Sequence, residues 1–77
     1  MIRNTFDISD FVPAPSLTGT VYELVKREKV ARKAKKLTQK QLAERTGVSY
    51  GSIRRFEQTG EISLLSLVKI ILCLIHH

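Results

Sequence analysis

The segment from residue 38 to residue 60, TQKQLAERTGVSYGSIRRFEQTG, constrains the fold of this 77-residue chain more than any other part. Thr38 and Gln41 have the spacing of a capping box, in which each side chain accepts a hydrogen bond from the other residue's backbone N–H at the start of a helix. Gly47 stands where that helix must end, because glycine adopts left-handed backbone angles without steric cost. Ser49 can then cap another helix. The segment therefore predicts two short helices joined by a tight turn.

The second of these helices has two different faces. Ile53 and Phe56 lie three residues apart and are predicted to point into the core, where Leu42 and Ala43 of the preceding helix also lie. The opposite side of the helical wheel carries Gly51, Arg54, Arg55 and Gln58. A short helix with one buried face and one polar, basic face is suited to a DNA groove.

The same segment resembles the helix-turn-helix of the phage-repressor and Cro-like superfamily, also called the XRE family. In that family LTQ opens the second helix, LA packs it, a glycine makes the turn, and I with F or L seats the recognition helix. The matching residues are Leu37, Thr38, Gln39, Leu42, Ala43, Gly47, Val48, Ile53, Phe56, Glu57 and Gly60. The resemblance covers about residues 21–75 and implies an all-α fold, a small lambda-repressor-like helix-turn-helix bundle of four to five helices with an N-terminal arm. The alternative is a generic helical domain with a glycine turn, which leaves this density of matches unexplained.

The length and the net charge of the chain indicate which kinds of partner it can bind. A chain of 77 residues forms one domain with a small core, so association into a homodimer is expected. The formal net charge is +6, and residues 21–40 alone sum to +6. Lysines recur there at helical spacing, at Lys26, Lys29, Lys33 and Lys36. This stripe can face DNA phosphates or can simply be a solvated face; an acidic membrane or partner could also use it.

No pattern indicates an enzyme, a cofactor or a metal. The single Cys73 cannot form an intramolecular disulfide, and no Cys/His cluster has metal-ligand spacing, which fits a reducing cytoplasm without structural zinc. No nucleophile, base and orienting acid can be assembled, since the only histidines are His76 and His77. The apolar run over residues 64–75 is short for a membrane span and contains a serine and a lysine, so we interpret it as a packed helix.

The N-terminal half is predicted to hold an arm and one helix. Residues 1–19 are expected to form an extended or flexible arm, because Pro13 and Pro15 would break a helix begun before them. The sequence of this arm permits a short strand, and its aromatic residues are expected to fold back onto the core. The domain proper is then residues 20–77. Thr20 and Glu23 form a second capping box that starts a helix running to about Lys36. Ser63 can cap a last helix from residue 64 onward, which is apolar on nearly every side and must be covered by the first three helices and by a second subunit or another element.

Two charged residues, Glu28 and Arg32, fall in the middle of the inner stripe of that first long helix. The apolar residues predicted for this stripe are Val21, Leu24, Val25 and Ala31. In the resembled family an arginine at the position of Arg32 commonly pairs with a glutamate at the position of Glu57, tying the first helix to the recognition helix. Glu28 departs from the family, where an apolar residue is usual, and at i,i+4 it could capture Arg32 instead. Lys36 is a second departure, because a glycine often precedes the leucine that matches Leu37.

Carried over position by position, the resemblance implies a set of DNA-contacting residues: Gln39, Lys40, Ser49, Tyr50, Gly51, Ser52, Arg54, Arg55 and Gln58. Gln39 would bond a phosphate while bracing the recognition helix, and Gln58 would also reach the phosphate backbone. Tyr50 could stack on a thymine methyl or donate to a phosphate. Arg55 is favoured as the residue that reads a guanine, whereas Arg54 could contact either a base or a phosphate. Ser52 is expected to support the helix or contact a phosphate.

These features favour a sequence-specific DNA-binding regulator, a dimeric repressor that reads a palindromic operator in double-stranded DNA. The chain also resembles small HipB-like antitoxins, which repress their own operon and bind a kinase toxin of the HipA type. The alternative from another class is a protein-interaction module that keeps this fold but has lost specific DNA binding, with the last helix and the arm as docking surfaces.

Overall fold

Four helices make up the part of the chain that the structure describes. The computed structural model describes the backbone of residues 14–75 and the side chains of residues 18–75. The helices are α1 (Ala14–Ala34), α2 (Gln39–Thr46), α3 (Tyr50–Thr59) and α4 (Leu64–Ile75). The predicted all-α helix-turn-helix bundle is confirmed. The strand expected in the arm lies outside the described residues, and the boundary between arm and domain stays a prediction.

Helix α1 begins at Ala14, six residues before the predicted start at Thr20. The prediction was wrong because it treated Pro15 as a helix breaker. Proline is tolerated in the first turn of a helix, where its missing N–H has no intrahelical acceptor in any case. Residues 14–19 are therefore helical, and Thr20 lies inside α1.

The end of α1 is formed by a lysine in a conformation that usually belongs to glycine. Lys36 has a φ of 59°, the only positive φ at a non-glycine residue in the described part of the chain. The N–H of Lys36 donates to the carbonyl of Lys33 at 2.9 Å, and the N–H of Leu37 donates to that of Arg32 at 3.1 Å. These two bonds are the Schellman motif that closes a helix. A lysine thus makes this turn where the resembled family often has a glycine, at a backbone cost of about 1–2 kcal/mol.

The short helices α2 and α3 begin and end where the sequence predicted. Thr38 accepts from the Gln41 N–H at 3.0 Å, and the Gln41 side chain accepts from the Thr38 N–H at 2.9 Å, which completes the capping box. Ser49 caps α3. Gly47 and Gly60 end the two helices with φ of 78° and 83°. The tight connection between α2 and α3 sets the direction of α3.

A small core lies between all four helices. Its completely enclosed side chains are Leu42, Ile53, Phe56 and Ile70, one from α2, two from α3 and one from α4. Helix α4 packs against α1 and α2. Only Ile70 of α4 is buried, and the predicted inner residues Val21 and Leu24 of α1 are 44% and 38% exposed. The core is therefore centred on α2 and α3, and it holds α3 with its polar face outward.

Candidate nucleic-acid interface

The outer face of α3 carries the side chains that the sequence assigned to DNA. Tyr50, Gly51, Arg54, Arg55 and Gln58 are all exposed, as is Ser49 at the cap. The buried side of the same helix is formed by Ile53, Phe56 and Glu57. Lys40, at the start of α2, is exposed as well. The α3 residues that the sequence assigned to DNA thus share one exposed helix face, whereas Gln39 and Ser52 are half-exposed.

The first turn of α3 is stabilised by two serines. Ser49 accepts from the backbone N–H of Ser52 at 3.1 Å, and the Ser49 hydroxyl donates to the Ser52 hydroxyl at 2.8 Å. Ser52 is only half-exposed. These bonds give Ser52 a helix-supporting role, one of the two alternatives that the sequence left for it.

Arg54 lies over a tyrosine one helical turn before it. The guanidinium carbon of Arg54 is 5.8 Å from the centre of the Tyr50 ring. A guanidinium at this distance from an aromatic face is attracted to its π electrons, and the ring restricts where the long side chain can go. The i,i+4 spacing was visible in the sequence, but Tyr50 and Arg54 were treated there as separate contacts.

Arg55 is already paired in the free protein. Its Nη2 and Nε lie 2.7 and 2.8 Å from Oε1 of Glu61, which follows the glycine at the end of α3. Both side chains are mostly exposed, at 69% and 63%. Such an exposed pair contributes at most about 1 kcal/mol, so another acceptor can displace the carboxylate. Sequence reasoning missed this pair, because the pair forms only across the turn at Gly60.

A buried charged cluster behind α3 holds that helix in place. Arg32 of α1 donates to both carboxylate oxygens of Glu57, from Nε at 2.9 Å and from Nη2 at 3.0 Å. Its Nη1 donates to the carbonyl of Leu37 at 2.8 Å. Gln39 of α2 donates to Glu57 Oε1 at 3.0 Å. The pair implied by the resemblance is therefore present, and Gln39 braces α3 as expected, with its Nε2 engaged in that bond.

Glu28 is the unusual member of this cluster. It is 6% exposed, its Oε2 lies 4.0 Å from Arg32 Nε, and neither of its carboxyl oxygens receives a hydrogen bond within the described part of the chain. Glu28 thus does not capture Arg32, because Glu57 offers the guanidinium a two-bond contact. Burial raises the pKa of Glu28 to about 8, the neighbouring Glu57 adds to the rise, and Arg32 and Lys29 oppose it. A protonated Glu28 has a proton to donate to Glu57.

Glu57 titrates in the opposite direction. Burial acts to raise the pKa of Glu57, but the hydrogen bonds from Arg32 and Gln39, the charge of Arg32 and the neighbouring acid Glu28 together outweigh it and hold the pKa below its usual range. Glu57 is thus the charged acid of the pair and Glu28 the neutral one. The recognition helix is anchored through a carboxylate that stays ionised.

The predicted lysine stripe is continuous only in part. Lys26, Lys29 and Lys33 lie on α1 and are exposed or half-exposed, whereas Lys36 lies beyond the end of that helix.

Among the residues with described side chains, no group of three His, Cys, Asp or Glu residues could hold a metal ion. No single helix in that part is long and apolar enough to cross a membrane, although α3 and α4, bent by 93° to each other, pass together on length and composition.

A helix that opens with a capping box, a glycine turn and a second helix with an exposed polar face together define a helix-turn-helix domain. A family model described as helix-turn-helix matches residues 29–74, more than half of the chain. The chain belongs to this helix-turn-helix family, the XRE family of DNA-binding transcription regulators. Comparisons with curated proteins and with solved structures gave no significant match.

Proposed function

We propose that this protein is a sequence-specific repressor that binds a palindromic operator as a homodimer. The observation that carries the proposal is the exposed face of α3, on which Tyr50, Arg54, Arg55 and Gln58 point away from a helix anchored by the Arg32–Glu57 pair. A helix held this firmly can present its side chains to base edges in the major groove without losing much conformational freedom on binding.

The roles within this face follow from their contacts. Arg55 reads a guanine after exchanging Glu61 for the O6 and N7 of the base, a bidentate contact that suits the planar fork of a guanidinium. Arg54, placed over Tyr50, acts with that ring as one unit at the edge of the groove. Lys40 and Gln58 contact phosphates on either side and fix the position of the helix on the duplex.

The homodimer is proposed from the uncovered face of α4. Six large apolar side chains of this helix are exposed: Leu64, Leu65, Val68, Ile71, Leu72 and Ile75. A contiguous apolar patch of this kind marks an interaction surface. A second copy of the chain placed there yields the two-fold arrangement that a palindrome requires.

An Arg55→Ala variant tests the DNA-binding proposal. Purified protein is incubated with genomic fragments, the recovered site is sequenced, and the affinity for it is measured at two salt concentrations. Loss of the guanine contact should weaken operator binding by about 1–3 kcal/mol, or roughly 5- to 150-fold, and should relax the sequence preference at one base pair.

The matched control is Arg27→Ala. Arg27 is also an exposed arginine paired with a glutamate, Glu23, at 3.3 Å, but it lies on the outer side of α1. Equal losses of operator affinity in the two variants would mean that Arg55 contributes only a general positive charge and does not read a base. Recovery of no discrete site by the unchanged protein would favour the alternative function, a protein-interaction module.

That alternative is supported by the same apolar α4 face, since an uncovered face can also receive a different protein.

The narrower antitoxin proposal, with a HipA-like kinase toxin as partner, rests on the resemblance to HipB-like proteins. Co-purification with a kinase encoded beside its gene, unchanged by Arg55→Ala, is the expected result for an antitoxin. A DNA-binding repressor of this kind works in the cytoplasm at the nucleoid.

A further inference from the structure

Two carboxylic acids share one arginine in the buried charged cluster behind α3. Glu28 and Arg32 lie one turn apart on α1, and Glu57 lies near the end of α3. The side chains of Glu28, Arg32 and Glu57 are 4%, 9% and 3% exposed, so water cannot solvate a second negative charge there. Arg32 donates to Glu57 from two nitrogens, and the Glu28 carboxyl receives no hydrogen bond within the described residues. An ionised Glu28 would therefore be a buried charge without a hydrogen-bonded partner.

Arg32 can relieve that charge by turning toward Glu28. Its Nε lies 2.9 Å from Glu57 Oε2 and 4.0 Å from Glu28 Oε2. Glu28 and Arg32 also have the i,i+4 spacing at which a glutamate and an arginine of one helix form a pair. A charged Glu28 thus competes with Glu57 for the guanidinium, and each hydrogen bond that Arg32 gives to Glu28 is lost from the link between α1 and α3.

The other groups around Glu28 do not replace this arginine. Lys29 also favours the charged form of Glu28, but it is half-exposed and its effect is smaller than that of Arg32. Gln39 of α2 carries no charge and donates to Glu57. Helix α4 contributes Lys69, which is exposed, and Cys73, which packs against the apolar core. Burial first, and then Glu57, raises the pKa of Glu28 to about 8, so this acid loses its proton just above neutral pH.

We propose that loss of the Glu28 proton draws Arg32 away from Glu57, loosens α3 and so weakens DNA binding at alkaline pH. The proposal rests on the function proposed above, in which α3 is the helix that reads DNA. A complex that needs α3 firmly anchored favours the protonated acid, so DNA binding raises the pKa of Glu28 further. Each pKa unit of that rise lowers the affinity about tenfold once the pH exceeds both values. Affinity is therefore constant well below pH 8 and falls as the pH rises through it.

The test compares operator affinity from pH 6.5 to pH 9.5 in the unchanged protein and in Glu28→Gln, whose side chain has nearly the same shape and cannot ionise. The unchanged protein should lose affinity at least about threefold more than the variant over this range. Other titrating groups are common to both proteins and cancel in the comparison. Glu61→Gln is the matched control, because Glu61 is 63% exposed and should leave the pH dependence unchanged. An equal pH dependence in the unchanged protein and in Glu28→Gln would overturn the proposal.

An NMR titration without DNA separates this inference from the proposed function. The carboxyl carbon of Glu57 and the methyl groups of Ile53 on α3 report on the anchor, and neither exchanges with solvent. Their signals should shift with the Glu28 carboxyl carbon at a midpoint near pH 8 in the unchanged protein and stay fixed in Glu28→Gln. Glu28→Leu, which also cannot ionise, should behave in the same way and guards against a defect peculiar to glutamine.

The two measurements fail in different ways. Signals of Glu57 and Ile53 that stay fixed in the unchanged protein would overturn the control of α3 by Glu28. Absence of operator binding at every pH, together with the expected NMR shifts, would contradict the proposed function and still support the control of α3 by Glu28.

Discussion

Glu28 is a buried carboxylic acid, and its cost to folding depends on pH. Its folded pKa of about 8 lies above the value of 4.5 for an exposed glutamate. Well below pH 4.5 the carboxyl is protonated in both the folded and the unfolded state, so its ionisation adds no cost to folding. As pH rises from 4.5 to 8, the unfolded chain gives up a proton that the folded chain keeps, so stability falls and then levels off above pH 8.

The Glu28→Gln variant should therefore be more stable than the unchanged protein by about 1–3 kcal/mol at pH 8 and nearly equal to it at pH 4. The glutamine amide carries N–H donors at every pH, whereas Glu28 has a proton to donate only while its carboxyl is protonated. Urea unfolding followed across pH 4–9 measures the difference. The control is Glu23→Gln on the exposed side of α1, which should show no comparable pH-dependent gain. A gain at Glu28 that is the same at every pH would mean that its carboxyl does not titrate in this range.

Two ion pairs show how much of the candidate site could be predicted from the sequence. The Arg32–Glu57 pair followed from the family resemblance, but the choice of Arg32 between Glu28 and Glu57 depends on the position of α3 beside α1. Arg55 and Glu61 are six residues apart on either side of a glycine turn. No helical or strand periodicity predicts such a pair, so only the three-dimensional path of the chain reveals it.

At the scale of elements, the helices with local signals were predicted well. Helices α2 and α3 have capping residues at the start and glycine at the end, all within a few residues of one another. The start of α1 was missed because a proline has opposite effects in the interior of a helix and in its first turn. The capping box at Thr20 and Glu23 was a chance match inside a longer helix.

The turn after α3 gives a prediction at this scale. Gly60 has a φ of 83°, and a β-carbon there would lie 2.5 Å from Cγ1 of Val21 on α1. Gly47 has a similar φ of 78° with nothing within 4 Å of the corresponding position. Both Gly→Ala variants should lose about 1–2 kcal/mol from the backbone, and Gly60→Ala should lose more because α1 must move.

The difference between the two alanine variants in chemical denaturation isolates the contact between α1 and the turn. Val21→Ala added to Gly60→Ala should recover the extra loss, because it removes the atom in the way. Equal stabilities of the Gly47→Ala and Gly60→Ala variants would show that α1 is not held against this turn.

At the scale of the whole molecule, the small core and the uncovered face of α4 predict that stability depends on protein concentration. Replacing Leu65 and Leu72 by glutamine removes apolar contacts from each side of a dimer and should weaken it by at least about 100-fold. Analytical ultracentrifugation and melting temperatures over a range of concentrations measure this. Val30→Gln is the matched control, since Val30 is 61% exposed on α1. A chain that stays monomeric at all concentrations, before any substitution, would refute the α4 dimer.

The Arg55–Glu61 pair has a consequence for how the protein would search a genome. On DNA of random sequence, a phosphate that attracts Arg55 only replaces one anionic partner with another, so the chain gains little by staying. In the proposed operator complex, the guanine would offer Arg55 two directed hydrogen bonds in place of its contact with the carboxylate. If Arg55 reads a guanine as proposed, Glu61 should shorten the time lost on wrong sites, and Glu61→Gln should lengthen single-molecule dwell times on random DNA more than on the operator. Unchanged dwell times would show that Glu61 does not affect the search in this way.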